Sequence, residues 1–200
     1  MKVAALVLAV LAASVAALTF QHRASAQETD RYARVASELA GHPVRVHCQS
    51  RIASLLDVGP NAGTVRFDAA GRPSEETRLT RSTCNALRSF ARNPATPALD
   101  CVRAQRRCRP DAFALVQAIH TLAHESWHLA GVRDEAKTEC YAPQSTDLVA
   151  VRLGADIGTA RAIAVYAYER LLPSLPDRYR RSDCVNDGPL DLVPSSPSFP

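Results

Sequence analysis

Between Pro110 and Gly131 the chain runs through DAFALVQAIHTLAHESWHLA without another proline or glycine. Phe113, Val116, Ile119, Leu122 and Ala123 recur in it at helical spacing. Pro110 and Asp111 suit a first turn, where a missing N–H is harmless and a negative charge meets the positive end of the helix dipole. Gly131 suits the left-handed residue that closes a helix. A helix of this length must be a central element of its domain. The chain has 200 residues, enough for one domain, and 46% of them are hydrophobic, enough for a core.

The same helix carries His124, Glu125 and His128 in the pattern H-E-x-x-H. Side chains four apart on a helix project from one face, with Cβ atoms roughly 5–6 Å apart. Two imidazoles so placed can reach one Zn²⁺ at about 2.0–2.1 Å. Glu125 then stands beside the metal without binding it, where it can take a proton from the attacking water and hand it to the leaving amine. The plainer alternative is a helix whose histidines are hydrogen-bonded core or surface residues. Trp127 points away from the motif face and is expected in the core. His120, one turn before His124, is about 12 Å along the axis from His128, too far to share one ion with both. It is expected to pack or to support a ligand.

A zinc site needs a third protein ligand, and Asp134, Glu135 and Glu139 follow Gly131. Asp134 also suits the N-cap of a following helix. Glu135 and Glu139, four apart, share a face of that helix. With Asp134 the stretch resembles the metzincin signature H-E-x-x-H-x-x-G-x-x-H, aspartate replacing the last histidine. The methionine turn of that family has no counterpart, because Met1 is the only methionine. Glu135-x-x-x-Glu139-x-x-Ala142 resembles the glutamate helix of gluzincins, including the CAAX-prenyl-protease type. That resemblance implies Glu135 as zinc ligand and Glu139 as the acid that orients a histidine ligand, with Glu139 as the alternative ligand. The departure is the short connection, Glu135 following His128 by only seven residues. The region also resembles uncharacterised exported actinobacterial proteins with an HES-x-H-L-x-G…E-C-Y-A pattern, a likeness that extends to YRRSDC and GPLDL near the C-terminus.

Residues 1–26 form an expected targeting segment. Lys2 precedes the uncharged run VAALVLAVLAASVAALTF, and Ala24-Ser25-Ala26 matches an A-x-A cleavage site. The run is long enough that a retained membrane anchor is the alternative. Both place the rest of the chain outside the cytoplasm, secreted or in the cell envelope. The six cysteines, Cys48, Cys84, Cys101, Cys108, Cys140 and Cys184, fit disulfides in such a compartment. Cys101 and Cys108 bracket the loop VRAQRR and are expected to pair. Cys48–Cys84 and Cys140–Cys184 would then staple the two halves, although spacing alone leaves the connectivity open. No C-x-x-C supports a cysteine metal site.

Elsewhere, DRYARVASELAGH reads as a short helix, PVRVHC as a strand, and residues 63–80 as a hairpin turning at Ala70-Gly71-Arg72-Pro73. Ser82 is the expected cap of a helix through Cys84, Leu87 and Phe90, and residues 91–100 read as a loop. Helices are expected over about 145–153 and 156–172, Pro143 ending or kinking the helix before them. With no basic stripe and a net charge of only +4, no nucleic-acid partner is expected.

The expected architecture is therefore α+β: a small antiparallel sheet, then a helical half with the H-E-x-x-H helix and a glutamate helix, stapled by disulfides. A zincin-like domain is expected over 27–189, with an extended tail over 190–200. The function implied is zinc-dependent hydrolysis of a peptide or amide bond in a peptide or protein substrate by a monomer. The alternative is a non-catalytic exported module of the same fold that serves binding or envelope assembly. Tyr141, Tyr166, Tyr168 and Tyr179 are equal candidates to hydrogen-bond an oxyanion.

Overall fold

The computed structural model describes residues 26–50, 62–196 and 199–200. Nearly all of the expected targeting segment lies outside them. Among the described residues no helix is long and apolar enough to cross a membrane.

A helix over 26–40 (α1) leads through Gly41, at φ +76°, into strand β1 (Arg45–Cys48). Strands β2 (Gly63–Phe67) and β3 (Pro73–Leu79) form the expected hairpin. Its turn is closed by Asp68, whose Oδ1 accepts from the Arg72 N–H at 2.9 Å, and by Gly71 at φ +80°. The sheet order is β1-β3-β2. It corrects the expectation of an antiparallel sheet, for β1 runs parallel to β3, with Cys48 opposite Leu79. The disulfide Cys48–Cys84 explains this direction. Cys84 lies on helix α2 (Arg81–Arg92), which begins just past the end of β3. A Cα–Cα distance of 5.9 Å across the bridge holds the end of β1 beside the end of β3. The intervening hairpin strand then supplies the crossover that a parallel pair requires.

The cap of α2 is Thr80 rather than Ser82: the Thr80 side chain accepts from the Thr83 N–H at 3.2 Å. Strand β3 ends at Leu79, so Thr80 keeps the extended conformation an N-cap needs, and Ser82 already lies within the first turn. The loop expected over 91–100 is partly ordered, with a 3₁₀ turn at Pro97–Leu99 followed by the short helix α3 (Asp100–Arg103). Cys101–Cys108 then closes the approach to the long helix α4 (Pro110–Leu129).

Helix α4 passes through the middle of the molecule. Val116, Ile119, Leu122, Ala123 and Leu129 are fully buried in the main core. Around them pack Leu79 of β3, Leu87 and Phe90 of α2, Val149 and Ala150 of α6 (Pro143–Arg152) and Ile163 of α7 (Ile157–Tyr166). Burial of each such side chain contributes roughly 1.5–3 kcal/mol. A helix apolar on most sides can only be central.

Gly131, at φ +97°, reverses the chain into α5 (Glu135–Tyr141). Pro143 begins α6 at its first turn, where its missing N–H is tolerated. Asp156 caps α7, its side chain accepting from the Thr159 N–H at 2.9 Å. A π-helical turn follows over Ala167–Leu171. Cys140–Cys184 ties α5 to the C-terminal segment. Cys140, Leu172, Cys184 and Leu190 form a second small apolar cluster there. The start of the tail is docked rather than loose, since Gln144 donates to the Leu190 carbonyl at 2.9 Å and accepts from the Leu192 N–H at 2.8 Å. All three expected disulfides are formed, and bonds of this kind fit an oxidising, extracytoplasmic compartment.

Candidate metal centre

The short link from α4 to α5 sets the geometry. Ala130 and Gly131 close α4 with N–H bonds back to Ser126 and His128 carbonyls. Asp134 then caps α5, its Oδ1 accepting from the Lys137 N–H at 2.6 Å. This turn lays the start of α5 against the motif face of α4. Asp134 is thereby occupied as a cap and belongs to neither metal-capable group.

Glu135 Oε2 lies 3.3 Å from Nε2 of His124 and 3.3 Å from Nε2 of His128. These three side chains form a group whose ligand atoms all lie within 4.8 Å of one another, close enough to hold a metal ion. The far nitrogens of the two rings are also engaged. His128 Nδ1 donates to the Val132 carbonyl at 2.6 Å. His124 Nδ1 lies 2.6 Å from Glu139 Oε2, a close charge contact in which the ring N–H is not aligned on the oxygen. Metal-binding histidines are normally held from behind by such a hydrogen bond, as Val132 holds His128, which fixes ring orientation and directs the other nitrogen's lone pair at the ion.

Glu139 also accepts from His120 Nε2 at 2.6 Å through its other oxygen. His120, His124 and Glu139 make a second group of metal-ligand types. This one is closed: the His120 and Glu139 side chains are each only 5% exposed, whereas Glu135 is half exposed. Nδ1 of His120 is buried without a hydrogen-bond partner. His120 and Glu139 thus act together as a brace behind His124, and Glu135 faces the opening.

The electrostatics follow from these contacts. Burial disfavours a charged His124, but Glu135 and Glu139 outweigh it and push its pKa up to about 10. Contacts with His124 and His128 bring Glu135 down to about 2. Burial opposes ionisation of Glu139 too, yet His120 and His124 hold it well below the usual carboxylate range. Without a metal the cluster therefore keeps a proton on an imidazole that a cation would displace.

Glu125 lies on the same face, buried, and burial pushes its carboxyl upward. Thr77 of β3 donates to its Oε2 at 3.4 Å. Strand β2 passes directly over it: a Cβ on Gly63 would fall 2.6 Å from Glu125 Cγ. Only glycine lets the strand backbone come this close. No sequence signal marked Gly63 or Thr77, since both act through a contact between segments far apart in the chain.

A cleft of about 440 Å³ opens over these groups. His120, His124, Glu125, His128, Glu135 and Glu139 line it together with β2 and, from the C-terminal segment, Leu171, Leu175, Pro176, Arg178 and Tyr179. Of the four candidate tyrosines, only Tyr179 lines it. Tyr141 packs on Trp127 at 4.9 Å between ring centres, Tyr166 accepts from the Cys108 N–H, and Tyr168 donates to the Cys184 carbonyl. Trp127 is only half-buried and directs its Nε1 to Ser145, away from the cleft as expected. Compared with family models, with curated proteins and with solved structures, the chain matches none.

Proposed function

We propose that the protein is an exported zinc-dependent hydrolase of peptide or amide bonds, built on a zincin-like arrangement. The observation that carries this reading is the convergence of His124 Nε2, His128 Nε2 and Glu135 Oε2 at the floor of a cleft, with Glu125 beside them. Two imidazoles and one carboxylate suit zinc and leave a position for solvent or substrate. His124, His128 and Glu135 would hold the ion. When bound, it would supply Lewis-acid polarisation of the carbonyl and ease ionisation of water.

The remaining work belongs to the chain. Glu125 accepts the proton of the attacking water and returns it to the leaving amine. Burial pushes its carboxyl upward, and positive charge on His124 and His128 opposes that push. Thr77 holds its far oxygen in place. Tyr179 is the hydroxyl available to the developing oxyanion. Strand β2 lies at the edge of the sheet and lines the cleft, so an extended peptide can pair with it.

The test is the zinc content of the folded, purified protein, joined to turnover of a peptide library by it and by Glu125→Gln. The reading expects close to one zinc per chain in both and cleavage by the parent alone. A folded sample that takes up no zinc would reject it. Zinc bound with no cleavage of any peptide would assign a binding module instead.

A further inference from the structure

Two guanidinium groups stand in the walls of the cleft on opposite sides of the glutamate helix in sequence. Arg133 precedes the cap of α5, and Arg178 lies in the 3₁₀ turn Asp177–Tyr179. Each is set by an aromatic ring rather than by an acid. Arg133 lies over Phe67, 5.5 Å from the ring centre, and a Cβ on Gly71 would sit 2.6 Å from its Nη1. Arg178 lies over Tyr179 at 4.7 Å. Neither has a carboxylate within ion-pair distance among the described residues. The acids that line the cleft are Glu125, Glu135 and Glu139, and all three are engaged with histidines or buried under β2. Arg178 gives one donor, from Nη2 to the Tyr179 hydroxyl at 3.5 Å, and a stacked guanidinium without an acid partner keeps its remaining donors for an incoming carboxylate.

We propose that the cleft selects substrates bearing a carboxylate close to the scissile amide, recognised by Arg133 and Arg178. The inference rests on the hydrolase reading for the word substrate, and on the two arginines alone for the carboxylate. That group is either an acidic side chain or the C-terminal carboxylate of a peptide, because both offer the same two oxygens to a guanidinium.

Binding of short peptides to the zinc-loaded Glu125→Gln protein separates the possibilities. The probes are alanine hexapeptides carrying glutamate or glutamine at each position in turn, each with a free or an amidated C-terminus. The charged member of a pair should bind about tenfold more tightly than its neutral isostere, and the preference should shrink as salt rises. Arg133→Gln with Arg178→Gln should abolish the preference while the zinc content stays intact, and Arg→Lys at both positions should restore part of it. Preference at an internal glutamate assigns an acidic side chain, and preference for the free terminus assigns the terminal carboxylate. Equal binding within the pairs, or a preference unchanged in the double variant, overturns the proposal. Carboxylate preference with no cleavage by the parent protein would leave this proposal standing and reject the hydrolase reading.

Discussion

Glu139 Oε2 lies 2.6 Å from Nδ1 of His124, the ring nitrogen turned away from Glu135. Glu135 Oε2 approaches the other nitrogen, Nε2, at 3.3 Å. One imidazole is thus held between two glutamates that stand one turn apart on α5. They differ in burial: Glu135 is half exposed, whereas Glu139 is buried against His120.

Different losses are therefore expected when each acid is neutralised. Glu135→Gln removes the carboxylate proposed to bind zinc and should abolish stoichiometric zinc binding at micromolar metal. Glu139→Gln should leave the site assembled but weaken it by about 10–100-fold, the usual effect of losing the group that orients a metal-bound histidine. Chelator competition on the two variants measures both. A larger loss from Glu139→Gln than from Glu135→Gln would exchange their roles.

Metal affinity should rise with pH. His124 is held protonated up to about pH 10 in the metal-free protein, so a cation must displace that proton. Calorimetry in buffers of different ionisation enthalpy should register close to one proton released per ion at neutral pH. The metal-free protein should show the matching stability profile. His124 has a raised pKa, so its contribution is complete below about pH 6.5 and fades as pH rises toward about 10. Glu135 has a lowered pKa, so its contribution is present above about pH 4.3 and is lost as pH falls toward about 2. Thermal melts should place the cluster's greatest stabilisation between these limits.

Gly63→Ala should impair turnover more than folding. The new methyl would fall 2.6 Å from Glu125 Cγ, near the fixed part of a buried side chain. Either β2 lifts or Glu125 turns, at a cost of about 1–3 kcal/mol for the overpacking. Zinc should still bind, because the methyl meets none of the three proposed ligands. Activity against an optimised peptide together with metal content tests the separation.

Removal of Cys140–Cys184 by paired alanine substitution should destabilise the fold by about 2–4 kcal/mol. The bridge spans 44 residues and joins the glutamate helix to the segment carrying Arg178 and Tyr179. The binding site should loosen along with the fold. Weaker zinc binding in the variant, measured below its melting temperature, would show that the bridge holds α5 in register with α4.

Periodicity and the breakers Pro110 and Gly131 determined α4, because a long apolar repeat has few other ways to bury itself. The two histidines and Glu125 came with it, since spacing along one helix fixes which face side chains share. The short loop between Cys101 and Cys108 marked that pair, whereas the other four cysteines left three pairings open until the fold brought Cys48 to Cys84 and Cys140 to Cys184. Other features lay beyond any local pattern. The parallel placement of β1 depends on a bridge to a helix two strands later. The approach of Gly63 to Glu125 and the selection of Tyr179 from four tyrosines depend on segments that meet only in the folded chain. The sequence by itself determined which residues could bind a metal. Tertiary structure alone decided that Glu135 is half exposed in the cleft while Glu139 is buried against His120, because two acids on one helix face are distinguished only by what packs against each.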